Sequence, residues 1–212
     1  MRVRPFPTLL TPRLELRQLR AGDEEFLARL DADPVVMRHI HTGPLSQDAA
    51  LRYAQLQVEA AAYRSRWGKW LAVLRHDGLA VGWVELGKLS GADRDDIQLG
   101  YELATEHWGQ GYATEAASGV LEYAFGRLEM DRIAAIARPA NTRSLRILEK
   151  LGFHPVGRRH DDGRELCNEY RVTAEEWRRL STSGWTTPSA HPLAAHERSS
   201  SSPPISRRHP RM

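Results

Sequence analysis

His107-Trp108-Gly109-Gln110-Gly111-Tyr112-Ala113-Thr114-Glu115-Ala116 is the stretch whose reading decides the fold. It follows a strand-like run, Ile97 to Leu103, and opens a segment of clear helical periodicity. Two glycines one residue apart allow a tight turn in which consecutive N–H groups point into one concavity. The helix behind adds its own unpaired N–H groups and the positive end of its dipole. A strand–loop–helix unit of this kind cradles a phosphate or pyrophosphate, which implies a nucleotide-containing ligand. Neither common phosphate motif fits. A Walker loop needs Lys and then Ser or Thr after the second glycine, where Tyr112-Ala113 stands. A dinucleotide fingerprint needs a further small residue three positions on and an acidic residue on a later strand, an arrangement that Glu115 and its helix do not supply.

Outward from this loop the pattern alternates strands and helices. Arg13 to Leu19 alternates apolar and charged residues as a half-buried strand does. Asp23 is an N-cap candidate for a short helix carrying Phe26, Leu27 and Leu30, and Ser46 for a longer one reaching about Arg66. Asp77-Gly78 joins strands 69–75 and 79–86 in a hairpin. After the loop, Ala113, Ala116, Ala117, Val120, Leu121, Ala124 and Phe125 form a broad apolar stripe suited to lying on a sheet. Residues 132–138 read as a strand buried on both faces, and 142–151 as a helix closed by Gly152. Asp162-Gly163 marks a second hairpin, between strands at 155–160 and 165–173, and Thr173-x-x-Glu176 is a capping box opening a last short helix. The order is a mixed α/β domain.

The loop resembles that of the GNAT superfamily of acyl-coenzyme A-dependent N-acetyltransferases, whose form is Gln/Arg-x-x-Gly-x-Gly/Ala. Gly111 and Ala113 match, and Trp108 departs from it by taking the Gln/Arg position. Trp108 to Ala116 reads as the version carried by the subgroup of ribosomal-protein N-terminal acetyltransferases. Asn141-Thr142-Arg143-Ser144 with Glu149-Lys150-Leu151-Gly152-Phe153 resembles a second family segment, beside the pantetheine arm. Thr11 to Arg17 and Asp33 to Met37 are similar to that subgroup as well. The resemblance covers roughly residues 11–180. It implies a mostly antiparallel twisted sheet of about six or seven strands, flanked by helices and splayed at a central parallel pair.

It also implies acetyl-CoA as cosubstrate, with the pyrophosphate on the loop, Trp108, Gly109, Gln110, Gly111, Tyr112, Ala113 and Thr114. The Leu103 amide is expected at the pantetheine and acetyl carbonyl, and Asn141 and Ser144 beside the pantetheine. The acceptor is a primary amine, on a protein N-terminus or a small molecule, and must lose a proton before attack. An N-terminal amine, with an ordinary pKa near 8, needs less help than a lysine near 10.4. Glu102 is the first candidate base, directly or through a water, with Glu85 the weaker alternative. On an alternating strand Gln98, Gly100 and Glu102 share one face, and Leu99, Tyr101 and Leu103 the other. A tyrosine that serves the leaving thiolate in many relatives is Leu148 here, so Ser144 is the candidate at the sulfur. Ordinary structural roles stand beside these: Glu102 as a solvated strand residue, Asn141 as an N-cap, Ser144 in a first helical turn.

Bulk properties narrow the classes. The 212 residues suit one domain at 11–182, preceded by a short extension at 1–10. The formal charge of +3 is that of residues 183–212 alone, where Arg198, Arg207, Arg208 and Arg211 face Glu197, so residues 1–182 are formally neutral. A neutral domain lacks the field of a nucleic-acid-binding protein, and no nucleic-acid partner is expected. The Ser- and Pro-rich tail is expected to be a disordered appendage, weak attraction to RNA being its alternative role. One cysteine, Cys167, excludes a disulfide framework and is expected in the core. His39, His41 and His107 lack ligand spacing, so no metal is expected. Trp67, Trp70, Trp83 and Trp108 are expected mainly in the core. No signal peptide or membrane span is read, which suits a cytoplasmic monomer or homodimer. The alternative to catalysis is an acyl-CoA-binding sensor or scaffold with the same fold.

Overall fold

The computed structural model describes residues 6–40, 43–64, 66–89, 96–161, 165–182 and 191–192. Its elements run β1 (Leu9–Leu10), β2 (Leu14–Gln18), α1 (Glu24–Ala32), α2 (Gln47–Ala61), β3 (Lys69–Leu74), β4 (Ala80–Lys88), β5 (Ile97–Leu103), α3 (Tyr112–Gly126), β6 (Arg132–Ala137), α4 (Thr142–Lys150), β7 (His154–Asp161), β8 (Glu165–Thr173), α5 (Ala174–Thr182) and β9 (His191–Pro192). They form one open sheet in the order β7-β8-β6-β5-β4-β3-β2-β1-β9, every neighbouring pair antiparallel except β5 and β6.

The sheet therefore has nine strands where six or seven were expected. The two additions, β1 and β9, are two residues long, too short to show a period of two. Of the segment 183–212, read as disordered, only His191–Pro192 is described, pairing with Leu9–Leu10; the rest lies outside the described residues, as does His41.

Alternation along the strands divides the core into two layers. One face carries Leu14, Leu16, Trp70, Ala72, Val84, Leu86 and Leu99 against α3, whose small residues Ala116, Ala117, Val120 and Ala124 are buried. The other face carries Leu71, Val73 and Trp83 against Leu27 of α1 and Ala54 and Ala61 of α2. In β6, Ile133, Ala134 and Ala135 are buried in succession, as a strand covered on both faces requires. Cys167 is buried. Helix α2 stops at Ala61, short of the expected Arg66. The backbone there tightens into three-residue bonds, Tyr63 to Ala60 and Arg64 to Ala61, and the Gln18 side-chain amide donates to the same Ala61 carbonyl. Asp23 lies at the N-cap of α1 but does not cap it: its carboxylate is held by Arg17 at 2.7 and 2.8 Å and by the Arg20 amide.

Two features shape the centre of the sheet. Between β5 and β6 one register pair forms, Gln98 with Ala134, and the two strands share no further pair toward their C-terminal ends. Both leave the sheet at that open end, β5 into the loop before α3 and β6 into α4. On the other side of β5, strand β4 bulges at Val81, and Gly82 then meets Leu103. A Cβ on Gly82 would stand 2.2 Å from the Glu102 carbonyl oxygen and 2.8 Å from the Leu103 Cα. That contact is with backbone, which cannot swing aside. Gly82→Ala is expected to cost about 3 kcal/mol and to move the end of β5. Denaturant unfolding checks this, and an unchanged midpoint would show that the two strands separate freely.

Candidate active site

The splay is built from the end of β5, the loop behind it and the first turn of α4. In the alternating ladder between β4 and β5, Ala104 donates to the Val81 carbonyl at 3.0 Å. Leu103, opposite Gly82, is thus a non-hydrogen-bonded position, whose N–H and carbonyl turn away from β4 toward the gap. The Leu103 carbonyl accepts a 2.8 Å bond from the indole Nε1 of Trp108. The departure at Trp108 thereby has a structural reason: the indole ties the loop to the strand end. Arg143, from α4, stacks on the same ring, 4.6 Å from its centroid.

The loop has the conformation that its glycines permit. Gly109 and Gly111 have φ of 76° and 83°, and Gly111 is the left-handed N-cap of α3. Open space surrounds a Cβ built on Gly109, so that glycine serves the backbone angle rather than clearance. Left-handed residues in such a loop turn successive amides to one side, which fits the chain to a pyrophosphate. Gln110 donates its side-chain amide to the Glu106 carbonyl, and Arg13 donates to the Gln110 carbonyl at 2.9 Å. Arg13 also binds the buried carboxylate of Glu115 at 2.6 Å and lies 4.5 Å over the Tyr112 ring.

On the α3 side of the gap, the Tyr101 hydroxyl stands 2.9 Å from the Ser144 hydroxyl. Burial pushes the Tyr101 phenol up to about 12, so it stays protonated. Asn141 caps α4, its side-chain oxygen accepting from the Ser144 amide at 3.2 Å, as the ordinary reading of that residue has it.

Glu102 points to the opposite face, toward α1 and α2. It sits across from Trp83, whose side chain hydrogen-bonds it, and its Oε2 is buried without a partner. Desolvation, opposed by Lys69 and reinforced by the carboxylates of Asp31 and Glu85, pushes its pKa up to about 7. Asp31, on α1, is buried with an unpartnered Oδ2, and burial raises its pKa too. The structure thus sets Glu102 and Leu103 at one end of the β4–β5 pair, Glu85 nearer its middle opposite Gly100, and Ser144 across the gap.

Arg13, Tyr101 and Asp31 were not read as site residues. For Asp31 a signal existed: it follows Leu27 by four and Leu30 by one, a charge on the apolar stripe of a helix. For Arg13 and Tyr101 the relevant contacts, with Glu115 and Ser144, are far apart in the chain. Among the described residues no three His, Cys, Asp or Glu side chains are grouped to hold a metal, and no helix is long and apolar enough to cross a membrane.

Residues 13–154 match the model of the acetyltransferase (GNAT) domain. The chain belongs to the GNAT acetyltransferase family. It is 31% identical over 153 residues to the uncharacterized N-acetyltransferase YoaA of Bacillus subtilis, covering 72% of this chain and 85% of that one. Over 194 residues it is 29% identical to the FsC-acetyl coenzyme A-N(2)-transacetylase of Aspergillus fumigatus, with 85% and 82% covered. A solved GNAT acetyltransferase of Bacillus anthracis superposes with a TM-score of 0.68 at 24% identity, covering 79% of this chain and 99% of that one. This GNAT protein is accordingly an acyltransferase, and its mixed sheet with one parallel pair is the family's fold.

Proposed function

We propose that this GNAT protein transfers the acetyl group of acetyl-CoA to a primary amine by direct attack in a ternary complex. The observation that carries the reading is the pair Glu102–Leu103: a carboxylate with a buried, unpartnered oxygen, followed at once by an amide that faces the splay. Acetyl-CoA supplies the activated thioester carbonyl. The loop amides from Gly109 to Ala113 hold its pyrophosphate, and Thr114 extends the same first turn. Asn141 and Ser144 lie along the pantetheine.

Each remaining requirement of acyl transfer falls to a group already in place. Glu102, with a pKa near neutrality, takes the proton from the incoming ammonium and leaves a nucleophilic amine. The Leu103 N–H donates to the carbonyl oxygen as charge builds there, an interaction of about 3 kcal/mol in the transition state. Ser144 gives a hydrogen bond to the departing sulfur, and the protonated Tyr101 hydroxyl orients it. The relative named for acetyl-coenzyme A and N-acetyl transfer supports the same donor and an amine acceptor.

Calorimetric titration with acetyl-CoA, against dephospho-CoA, tests the donor. Micromolar binding, about −8 kcal/mol, is expected, and no binding would remove the reading. Ser144→Ala is expected to lower kcat about tenfold with acetyl-CoA affinity kept. A variant with normal turnover would leave Ser144 its capping place alone.

A further inference from the structure

The face of the sheet under α1 and α2 carries more negative charge than a single ammonium requires. Glu102, Glu85 and Asp31 act on one another and on the same lysine, Lys69, and the Tyr53 hydroxyl is near enough to feel all three. Three carboxyl groups face one ammonium, an excess of two charges when all three are ionised. Asp31 is 6% exposed, and its Oδ2, like the Oε2 of Glu102, has no partner. Buried unpartnered carboxylate oxygens are costly, and the cost is relieved by a proton or by a cation brought in from outside. Lys69 displays the chemistry that this wall accepts. Its ammonium lies 3.6 Å over the Trp83 ring and 3.7 Å from the Glu85 carboxylate, an alkylammonium between an indole face and an acid.

We infer that the acceptor is a linear aliphatic diamine or polyamine, one nitrogen reacting at Glu102 and a second ammonium held by the unpartnered Oδ2 of Asp31, whose carboxylate otherwise takes a hydrogen bond from the Gln57 side chain. This rests on the acetyl-transfer reading for the place of Glu102, but the Asp31 subsite binds whether or not transfer follows. Glu85, which shares Lys69 with Asp31, stands two residues along β4 from Trp83, the residue opposite Glu102, so this second acidic group begins about 7 Å along the strand from the first. A chain of four methylenes spans a gap of that order, and Trp83 and Tyr53 supply apolar walls for them. The excess of two negative charges then matches a dication. A monoamine would leave the Asp31 Oδ2 without a partner, and a peptide N-terminus would bring a polar backbone where methylenes fit.

Binding to the full chain in the presence of saturating coenzyme A, which blocks turnover, tests this directly. The probes are 1,4-diaminobutane, spermidine, n-butylamine and an alanine tripeptide. The diamine is expected to bind at least about tenfold more tightly than butylamine, the scale of one charge-assisted hydrogen bond. Asp31→Asn is expected to reduce that ratio about tenfold, and in turnover to raise KM for the diamine far more than it changes kcat. Butylamine or the tripeptide binding as well as the diamine would overturn the inference, as would a ratio untouched by Asp31→Asn. Diamine binding without any acetyl transfer would uphold the subsite and overturn the proposed activity instead.

Discussion

Glu102→Gln is expected to lower kcat by about two to three orders of magnitude, with acetyl-CoA affinity unchanged. The pH dependence carries the diagnosis. A general base works only as the carboxylate, and burial has moved Glu102 up to about 7. The wild type's log kcat/KM, which reports the free enzyme, should therefore rise with unit slope below that value and level off above it. The Gln variant, having no group to deprotonate there, should show no such limb. A variant that retains both the rate and the limb would return Glu102 to the role of a strand side chain.

The same substitution should stabilise the fold, and that opposite sign separates an active-site carboxylate from a structural one. The folded pKa is about 7 against an ordinary 4.5, so the native state prefers the protonated form. The stability this gives is present in full below the unfolded pKa and is lost as pH rises through the folded one. At pH 8 the ionised wild type bears a handicap of about 3 kcal/mol, which Gln does not carry. The variant should melt several degrees higher at pH 8, and the gap should close toward pH 4. Asp31 is shifted in the same direction by burial, and Asp31→Asn should show the same pattern. The shared sign means that α1 and α2 fold over ionised groups at a cost, which a cationic acceptor offsets.

What the sequence revealed of this arrangement depended on range. The conformation of the glycine loop was legible because its cause is local: two glycines at positive φ, a strand before them and an apolar stripe behind. The capping box of Thr173 and Glu176 and the Asn141 cap close within three residues and were legible for the same reason. The splay was implied by family resemblance, and its local sign, a single register pair between β5 and β6, is a property of two strands that sequence periodicity treats separately. The acidic site is longer in range still. Asp31, Lys69, Glu85 and Glu102 lie on four elements, and they meet because β3, β4 and β5 are adjacent in the sheet while α1 crosses that face. Alternation put Glu102 on the right face of its strand, but not what covered it. The indole of Trp108 looked like a flaw in a motif until its bond to the Leu103 carbonyl supplied the reason.

Glu115→Ala is expected to have the largest effect on stability, about 3–5 kcal/mol. Its carboxylate is 5% exposed and accepts from the buried Thr11 hydroxyl at 2.6 Å, from the Arg13 amide at 2.8 Å and from the Arg13 guanidinium at 2.6 Å. Truncation leaves the Arg13 amide without its acceptor and the buried Thr11 hydroxyl with only the Leu14 carbonyl at 3.2 Å, while the half-exposed guanidinium turns to water. At about 2–4 °C per kcal/mol for a domain of this size, the midpoint should fall by about 10 °C. The damage should reach ligand binding as well. A carboxylate in the first turn of α3 opposes an incoming pyrophosphate, and Arg13 cancels that charge while its other end holds the Gln110 carbonyl of the loop. Without Glu115, Arg13 loses its anchor and the loop its brace, so acetyl-CoA affinity should drop about tenfold even at temperatures where the variant is folded. Glu115→Gln keeps one acceptor oxygen and should fall between the two. Thermal unfolding and calorimetry on the same three proteins decide the matter. A normal midpoint with weakened binding would make Glu115 a loop device alone; a lowered midpoint with normal binding would show that the glycine backbone holds the cradle by itself.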